Sequence, residues 1–289
     1  MAKNKISFEK EPINKKLAYL RKKANWVRRR ALEMAVSAGA GHVASSFSCA
    51  DILVTLYYGG VLKINPGNSQ WVNRDRFILS KGQAALALYP ILADLGFFPR
   101  SKLMTFGQDG SDLGGLAENN IPGVEALTGS LGYGLSITAG MALSAKIDRK
   151  KYRCFTLLGD GECQEGSIWE AAMFAGHRCL NNLIAIIDVN NLSATDFLKN
   201  YLDLAPLKEK WESFGWEVEA IDGHSCESLL SVLTETNLRR LDKPLAILAS
   251  TVKGKGVSFM ENKPIWHYRI PVGRELTLAR KELLLKKEK

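Results

Sequence analysis

The sequence predicts an α/β fold, a doubly wound and mostly parallel sheet flanked by helices. Short apolar runs at 76–80, 152–159, 182–188, 216–222 and 244–251 are typical of buried parallel strands. Helical patterns alternate with these runs, as a sheet built from crossover units requires. The length of 289 residues, with 46% hydrophobic residues, suits one large α/β domain or two small ones that fold without a metal or disulfide.

The helices follow from apolar positions spaced three or four residues apart. The first is predicted over 12–37, and a polar loop at 37–46 then leads to a helix at 49–58 with candidate caps Ser46 and Ser48. Further helices are predicted at 84–95, 131–146, 166–178, 206–213 and 226–239. The segment 107–123 is rich in Gly, Asp and Asn, and we expect a long functional loop there.

The formal net charge of +9 is concentrated at the start of the chain. Residues 1–30 hold 11 Lys and Arg against 2 Asp and Glu, and the remaining residues are neutral overall. The excess is therefore a basic arm and helix face without interleaved aromatic residues, so we expect no nucleic-acid partner. We also expect no membrane partner, because no apolar run approaches the roughly 18 residues of a span. Cys49, Cys154, Cys163, Cys179 and Cys226 form no CxxC pair, which is typical of reduced thiols in a cytoplasmic protein.

Polar motifs follow two of the predicted strands. The sequence GDGE occupies 159–162, and NNL occupies 190–192 after the next apolar run, with 28 residues between Gly161 and Asn190. Ligands of doubly wound sheets bind beyond the carboxyl ends of the strands, so these motifs mark the expected site.

The residue types at these positions suit a hard cation bound together with phosphate. Asp160 offers a carboxylate, Asn190 an amide oxygen, and the turn after Asn190 a backbone carbonyl, a set typical of Mg²⁺ or Ca²⁺. The flanking glycines allow close approach of an anion, and a helix predicted to begin near Gln164 would add its positive end. The alternative interpretation is a tight turn and an Asn-rich loop without any ligand.

The spacing from GDG to NN resembles the thiamine diphosphate (ThDP) signature, and the chain is similar to the transketolase family. The segments that carry the resemblance lie in the family's order: AGH at 40–42, RDRFILSKG at 74–82, PGVEALTGSLGYGLSITAGMAL at 122–143, GDGECQEGSIWEAAMFAGHRCLNNLIAIIDVNNL at 159–192 and TVKGKGVSFMENKPIWH at 251–267. The resemblance implies a ThDP diphosphate-binding (PP) domain at 12–270, between a basic arm at 1–11 and a C-terminal tail at 271–289. It also implies the cofactors ThDP and Mg²⁺ or Ca²⁺.

Site residues follow from the same resemblance. The implied metal ligands are the side chains of Asp160 and Asn190 and the carbonyl of Leu192. The implied cofactor-binding residues are Gly129, Ser130, Leu131, Gly159, Asp160, Gly161, Glu162, Asn190, Lys253 and His267, and the implied catalytic residues are His42, Gln83 and His267. Simpler roles are a loop residue for His42, aromatic packing for His267 and a solvated turn for Lys253.

The resemblance also implies a partner. Transketolases carry a pyrimidine-binding (Pyr) domain and a C-terminal domain besides the PP domain, and this chain resembles the N-terminal subunit of a split transketolase. We therefore expect it to be inactive alone and to assemble with a C-terminal subunit that carries the Pyr domain, as two copies of each. Glu165 and Glu170 match acidic residues at the subunit interface, and we expect self-association across this PP/Pyr interface.

The expected reaction is transfer of a two-carbon unit from a ketose or ketone donor to an aldehyde acceptor. The chain departs from the family pattern in three places: Gln83 stands in place of a His, the pair Leu116 and Ala117 lies near a usual His-Pro pair, and Ala194 replaces a frequent Gln. These departures leave two alternatives, acetyl transfer from a 2-oxoacid on the same scaffold and a non-catalytic partner subunit.

Overall fold

A computed structural model describes residues 12–235 and 242–285, which form a five-stranded sheet covered by helices. The strands are β1 (Arg76–Leu79), β2 (Cys154–Gly159), β3 (Leu183–Val189), β4 (Glu217–Asp222) and β5 (Leu245–Ser250). The helices are α1 (Ile13–Ala38), α2 (Val43–Ser48), α3 (Ala50–Tyr58), α4 (Ala85–Leu95), α5 (Tyr133–Ile147), α6 (Gly166–His177), α7 (Leu207–Ser213), α8 (Cys226–Glu235) and α9 (Gly273–Leu285).

All pairings in the sheet are parallel, in the order β1-β2-β3-β5-β4, which confirms the predicted fold class. Gly159 at the end of β2 pairs with Asp188 in β3, and Val189 pairs with Ser250 at the end of β5. The carboxyl ends of β2, β3 and β5 therefore lie side by side. Because β5 lies between β3 and β4 in the sheet, the residues that follow β5 lie beside the motifs that follow β2 and β3.

Alternate residues of the central strands pack into two separate apolar cores. Phe155 and Leu157 face the core formed with α1, α3 and α4, whereas Cys154 and Leu158 face the core formed with α5 and α6. Burial on both faces explains why these strands are continuous apolar runs in the sequence. It also fixes the register, because a slip by one residue would exchange the two faces.

One prediction about the helices was wrong. The segment predicted as a polar loop contains α2, and Ser46 and Ser48 lie inside this helix, fully buried, instead of capping α3. Ser48 Oγ donates to Ser45 O (3.0 Å) and to the Asp188 carboxylate (2.6 Å), a tertiary contact that a search for local caps does not consider.

The strand at 216–222 was predicted as buried, but β4 lies at the edge of the sheet and its residues are half-buried or exposed. The other secondary-structure predictions agree with the described residues or fall outside them. The 107–123 segment has neither helix nor strand, as expected. Four of the five unpaired cysteines are buried, and Cys179 is exposed. The basic arm at 1–11, the end of the helix predicted at 226–239 and the last tail residues lie outside the described part. Helix α9 in the tail packs on α1, where Asn25 Nδ2 donates to Leu283 O (2.6 Å).

Candidate functional site

A cavity of about 370 Å³ opens at the carboxyl ends of β1, β2, β3 and β5. Each strand supplies residues from the turn directly after it, as expected of a doubly wound sheet. The lining residues are His42, Ser45, Lys81, Gln83, Leu116, Gly129, Leu131, Gly159, Asp160, Gly161, Glu162, Gln164, Glu165, Asn190, Leu192, Ser193, Ala194, Lys253 and His267.

Asp160 follows β2 and is the central carboxylate of the cavity. Its Oδ1 accepts from Gly161 N (2.8 Å) and its Oδ2 accepts from Asn191 N, so backbone donors hold it between the two predicted motifs. The side chain is 3% exposed. Burial, followed by the nearby Asp188 carboxylate, raises the pKa of Asp160 to about 6. A carboxylate in this environment gains from any cation that binds next to it.

The turn after β3 places further oxygens on the same cavity. Asn190 Nδ2 donates to Asp188 O (3.4 Å), and its Oδ1 accepts from Leu192 N (3.2 Å). Asn191 bridges the turn with a left-handed backbone (φ 61°), a conformation that Asn tolerates better than most residues. Asp160, Asn190 and Leu192 therefore border one cavity, as their spacing in the sequence predicts.

Lys253 follows β5 and brings a positive charge to the turn after β3. Its Nζ donates to Leu192 O (3.3 Å), to Ser193 O (2.7 Å) and to His267 Nδ1 (3.0 Å). Burial, followed by the charge of Lys81, lowers the pKa of Lys253 to about 8. A buried ammonium that already faces a second ammonium favours an anionic ligand between them.

Lys81 is a second buried cation, and it follows β1. Its Nζ pairs with the Asp188 carboxylate at the end of β3 and donates to Ser45 O (3.2 Å). Asp188 also accepts from the hydroxyls of Ser48 and Thr251. Burial acts to raise the pKa of Asp188, but the charge of Lys81 and the hydrogen bonds from Lys81, Ser48 and Thr251 together outweigh burial and keep this pKa below its usual value.

Two histidines lie against each other at the mouth of the cavity. The ring centroids of His42 and His267 are 5.0 Å apart, and the Tyr268 ring lies 4.7 Å from that of His42. Burial and the positive charge of Lys253 lower the pKa of His42 to about 4 and that of His267 to about 3. Both rings are therefore neutral at physiological pH. Because His267 Nδ1 accepts from Lys253, the proton of its ring is on Nε2.

Glu162 stabilises one side of the cavity through hydrogen bonds to other residues of the protein. Its carboxylate accepts from the Ser80 hydroxyl, from Gly132 N (2.9 Å) and from Gly159 N (3.0 Å). These bonds join the ends of β1 and β2 to the loop that precedes α5. Glu162 lines the site as predicted, and its acceptor atoms are used by protein donors.

The loop before α5 approaches the cavity closely. A Cβ added to Gly129 would lie 2.9 Å from Leu116 Cδ1, so the backbone passes tightly over that side chain. Leu131 also lines the cavity, whereas Ser130 is exposed and does not. Glu165 lies at the rim, and Glu170 is exposed further along α6.

Sequence reasoning missed Lys81, Asp188 and Ser45. A signal was present, because Asp188 and Lys81 each come at the end of a buried apolar strand, where an ionised group needs a partner. Among residues 12–235 and 242–285, no three His, Cys, Asp or Glu side chains cluster as metal ligands. The predicted metal set has one such side chain, Asp160, with an amide and a carbonyl.

Residues 20–286 match the family described as transketolase, thiamine diphosphate binding domain. The chain belongs to the transketolase family. It is 42% identical over 249 residues to the 6-deoxy-6-sulfo-D-fructose transketolase subunit SqwG of a Clostridium species, covering 86% of this chain and 90% of that one. It is 37% identical over 262 residues to an apulose-4-phosphate transketolase subunit of Phocaeicola vulgatus, covering 91% and 92%.

A solved transketolase shows how much of a full-length enzyme this chain represents. The transketolase of Campylobacter jejuni superposes with a TM-score of 0.86 at 32% identity, covering 93% of this chain but 43% of that one. The chain thus corresponds to the ThDP-binding part of a transketolase, and its subunit relatives are of similar length. This confirms the predicted N-terminal, PP-domain subunit of a transketolase-like transferase.

No helix in the described ranges combines the length and apolar character needed to cross a bilayer.

Proposed function

We propose that this subunit holds the diphosphate and the metal ion of ThDP in a two-chain transketolase. The complete enzyme moves a two-carbon unit from a ketose donor to an aldehyde acceptor. The observation that carries the proposal is that one cavity joins the oxygens of Asp160, Asn190 and Leu192 to the buried ammonium of Lys253. This combination suits a divalent cation together with a phosphate-bearing ligand.

The ligand chemistry of the cavity fits Mg²⁺, or Ca²⁺. Asp160 is almost fully buried and has no ion pair with Lys or Arg among the residues described, and its raised pKa reflects that uncompensated position. We assign the metal to the carboxylate of Asp160, the amide oxygen of Asn190 and the carbonyl of Leu192. These three oxygens leave positions open for phosphate oxygens and water.

The cationic side of the cavity fits the diphosphate. Lys253 would contribute charge, His267 a hydrogen bond from Nε2, and Gly161 a close backbone contact. Gly129 and Leu131 would lie beside the rings of the cofactor, while Glu162 keeps their loop in place through Gly132. When bound, ThDP supplies the carbon nucleophile that the chemistry requires.

The residues at the mouth would meet the substrate. His42 is neutral and can donate or accept a hydrogen bond to a substrate hydroxyl, and Gln83 can donate one without carrying charge. The two subunit relatives are named for a sulfonated and a phosphorylated sugar. We therefore propose a ketose that bears an anionic group as the donor.

The alternative donor is a 2-oxoacid such as pyruvate, and one observation favours it. Leu116 lines the cavity with an apolar side chain next to Gly129, and Tyr89 Oη fixes its position by bonding to Leu116 O (2.9 Å) and Gly114 O (3.0 Å). An apolar wall would suit a methyl group where a ketose has a hydroxymethyl group. Ala117 is buried and does not line the cavity.

The partner would be a C-terminal subunit carrying the Pyr domain, in two copies of each chain. Next to the cavity, α6 exposes Glu170 together with Met173 (54% exposed) and Phe174, three and four residues further on. Tyr133 at the start of α5 is 57% exposed. Such a group of large apolar and acidic side chains fits a protein interface, where Glu165 and Glu170 would connect the two chains.

The test is reconstitution of the full chain with a C-terminal subunit that carries the Pyr domain. We expect the isolated chain to be inactive and the complex to bind ThDP with Mg²⁺ and to cleave xylulose 5-phosphate. Turnover of pyruvate without turnover of the ketose phosphate would instead establish the alternative donor. Asp160→Ala should abolish metal-assisted ThDP binding, whereas Asp242→Ala, an exposed carboxylate before β5, should not. Unchanged affinity in Asp160→Ala would refute the assigned site.

A further inference from the structure

We propose that His224 is a positioning residue of the ThDP site, which orients Lys253 from outside the cavity through the Val252 peptide group. His224 follows β4 and does not line the cavity. The inference rests on the proposed role of Lys253 in diphosphate binding.

The imidazole of His224 bridges two parts of the fold. Its Nε2 accepts from Val252 N (2.8 Å), and its Nδ1 lies 2.8 Å from Asp51 Oδ2 on α3. Because Nε2 accepts a hydrogen bond, the ring proton must be on Nδ1. The Nδ1–H group then donates a hydrogen bond to Asp51. The two bonds together determine the tautomer and the orientation of the ring.

Asp51 is itself held in place by other contacts, so it fixes the position of His224. It pairs with Arg28 of α1, and Arg28 Nε donates to Phe47 O (3.1 Å) in α2. Arg28 and Asp51 are both buried, with 7% and 6% exposure. Ionised partners in this setting make short, directional hydrogen bonds.

The Val252 N–H bonds to a side chain, whereas the N–H groups of Thr251 and Gly254 bond to backbone carbonyls. Thr251 donates from N to Val189 O (2.9 Å), and Gly254 N donates to Ala44 O (3.1 Å). Both of those contacts are to backbone. The His224 bond therefore fixes the Thr251–Val252 peptide group, one residue before Lys253, whose Nζ reaches Leu192, Ser193 and His267 in the cavity.

The close approach of β4 to β5 makes the bridge possible. A Cβ on Gly223 would lie 2.5 Å from Thr251 Cγ2, so a side chain at that position would push the β4 turn away from β5. His224 N donates to Asp222 Oδ1 (2.8 Å), which sets the direction of the turn. The sequence DGH at 222–224 thus allows His224, after β4, to bond to Val252, after β5.

The experiment is a double-mutant cycle on the reconstituted complex, with calorimetric titration of ThDP in the presence of Mg²⁺. Partners that orient a ligand-binding group typically contribute about 10- to 100-fold in affinity. We expect His224→Ala to weaken ThDP binding by about 10-fold, and His224→Gln, which can still accept and donate, to restore it to within about twofold. His177→Ala, an exposed histidine at the end of α6, is the matched control and should leave affinity unchanged.

The decisive comparison is the same change in a Lys253→Ala background. If His224 acts through Lys253, His224→Ala should then have less than about a twofold effect. An equal loss in both backgrounds, or a lowered melting temperature with unchanged affinity, would overturn the inference. If Lys253→Ala alone leaves ThDP affinity unchanged, the proposed role of Lys253 in diphosphate binding is refuted, independently of any effect of His224. Should His224→Ala not fold, His224→Asn, too short to span both partners, takes its place with the same expectations.

Discussion

The ends of β2 and β3 carry two buried carboxylates with opposite properties. Asp160 follows β2, bonds to backbone N–H groups, and has its pKa raised to about 6 by burial and by Asp188. Asp188 near the end of β3 is fully buried as well, but it pairs with Lys81 and accepts from Ser48 and Thr251, and its pKa is lowered.

The difference separates a structural carboxylate from one suited to a ligand. The charge of Asp188 is neutralised within the protein, so it ties together β1, β3, β5 and α2. The charge of Asp160 lacks an equivalent protein cation in the described part of the chain, and the cavity at its side gives a ligand access. The two residues are close in the fold, but we expect substitutions to affect different properties of the protein.

The largest expected effect is on stability and comes from Asp188→Asn. The change leaves the Lys81 ammonium buried without its counter-charge, and breaking a buried pair in this way typically costs about 3–5 kcal/mol. Urea unfolding should show the loss as a lower midpoint. A loss below about 1 kcal/mol, no larger than that of Asp242→Asn at the exposed turn before β5, would contradict the structural role.

Asp160→Asn should affect ligand binding instead of folding. Removing the proposed anionic metal ligand should weaken ThDP binding in Mg²⁺ by about 100-fold, or about 2.7 kcal/mol. The apo chain should change little in stability, because removal of a buried charge offsets the loss of one of the two backbone hydrogen bonds that Asp160 accepts. Calorimetry measures the binding and urea unfolding measures the stability of the same preparations. A large loss of stability with unchanged ThDP binding would show that Asp160, like Asp188, is a structural carboxylate.

Withdrawal of the metal sharpens the assignment of Asp160. In wild type, chelation of Mg²⁺ should weaken ThDP binding by about 10-fold or more, since the diphosphate loses its counter-charge. In Asp160→Asn, chelation of Mg²⁺ should have little further effect, because the substitution and the chelation remove the same interaction between Asp160 and the metal. Additive losses would place the metal elsewhere.

The smallest expected effect is on the pH dependence of the metal-free chain. The folded-state pKa of Asp160 lies above its ordinary value, so the folded state carries a cost when the carboxylate ionises. That cost is complete above about pH 6 and absent below about pH 4. The stability of Asp160→Asn relative to wild type should therefore fall by about 1–2 kcal/mol as the pH falls from 7 to 4. A stability difference that is constant across this range would contradict the raised pKa.

Much of the fold and part of the site could be predicted because their signals are local. Each strand is an apolar run that is recognisable without its neighbours, and GDGE and NNL follow two of these runs directly. Their meeting at one edge follows from the parallel pairing of β2 and β3. The helix α2 was missed because its serines point into tertiary contacts, and a local interpretation assigns such residues to caps and loops.

The sequence by itself determined the layered α/β architecture, the family and the positions of the oxygen-bearing residues that follow β2 and β3. The tertiary structure decided which charges are neutralised: Lys81 and Asp188 are 107 residues apart, and Asp51 and His224 are 173 apart. The insertion of β5 between β3 and β4 completes these contacts, because it brings Thr251 to Asp188, Val252 to His224 and Lys253 to the cavity. The physical reason is that hydrophobic periodicity is encoded over a few residues, whereas neutralisation of a buried charge depends on which distant segment the sheet order brings beside it.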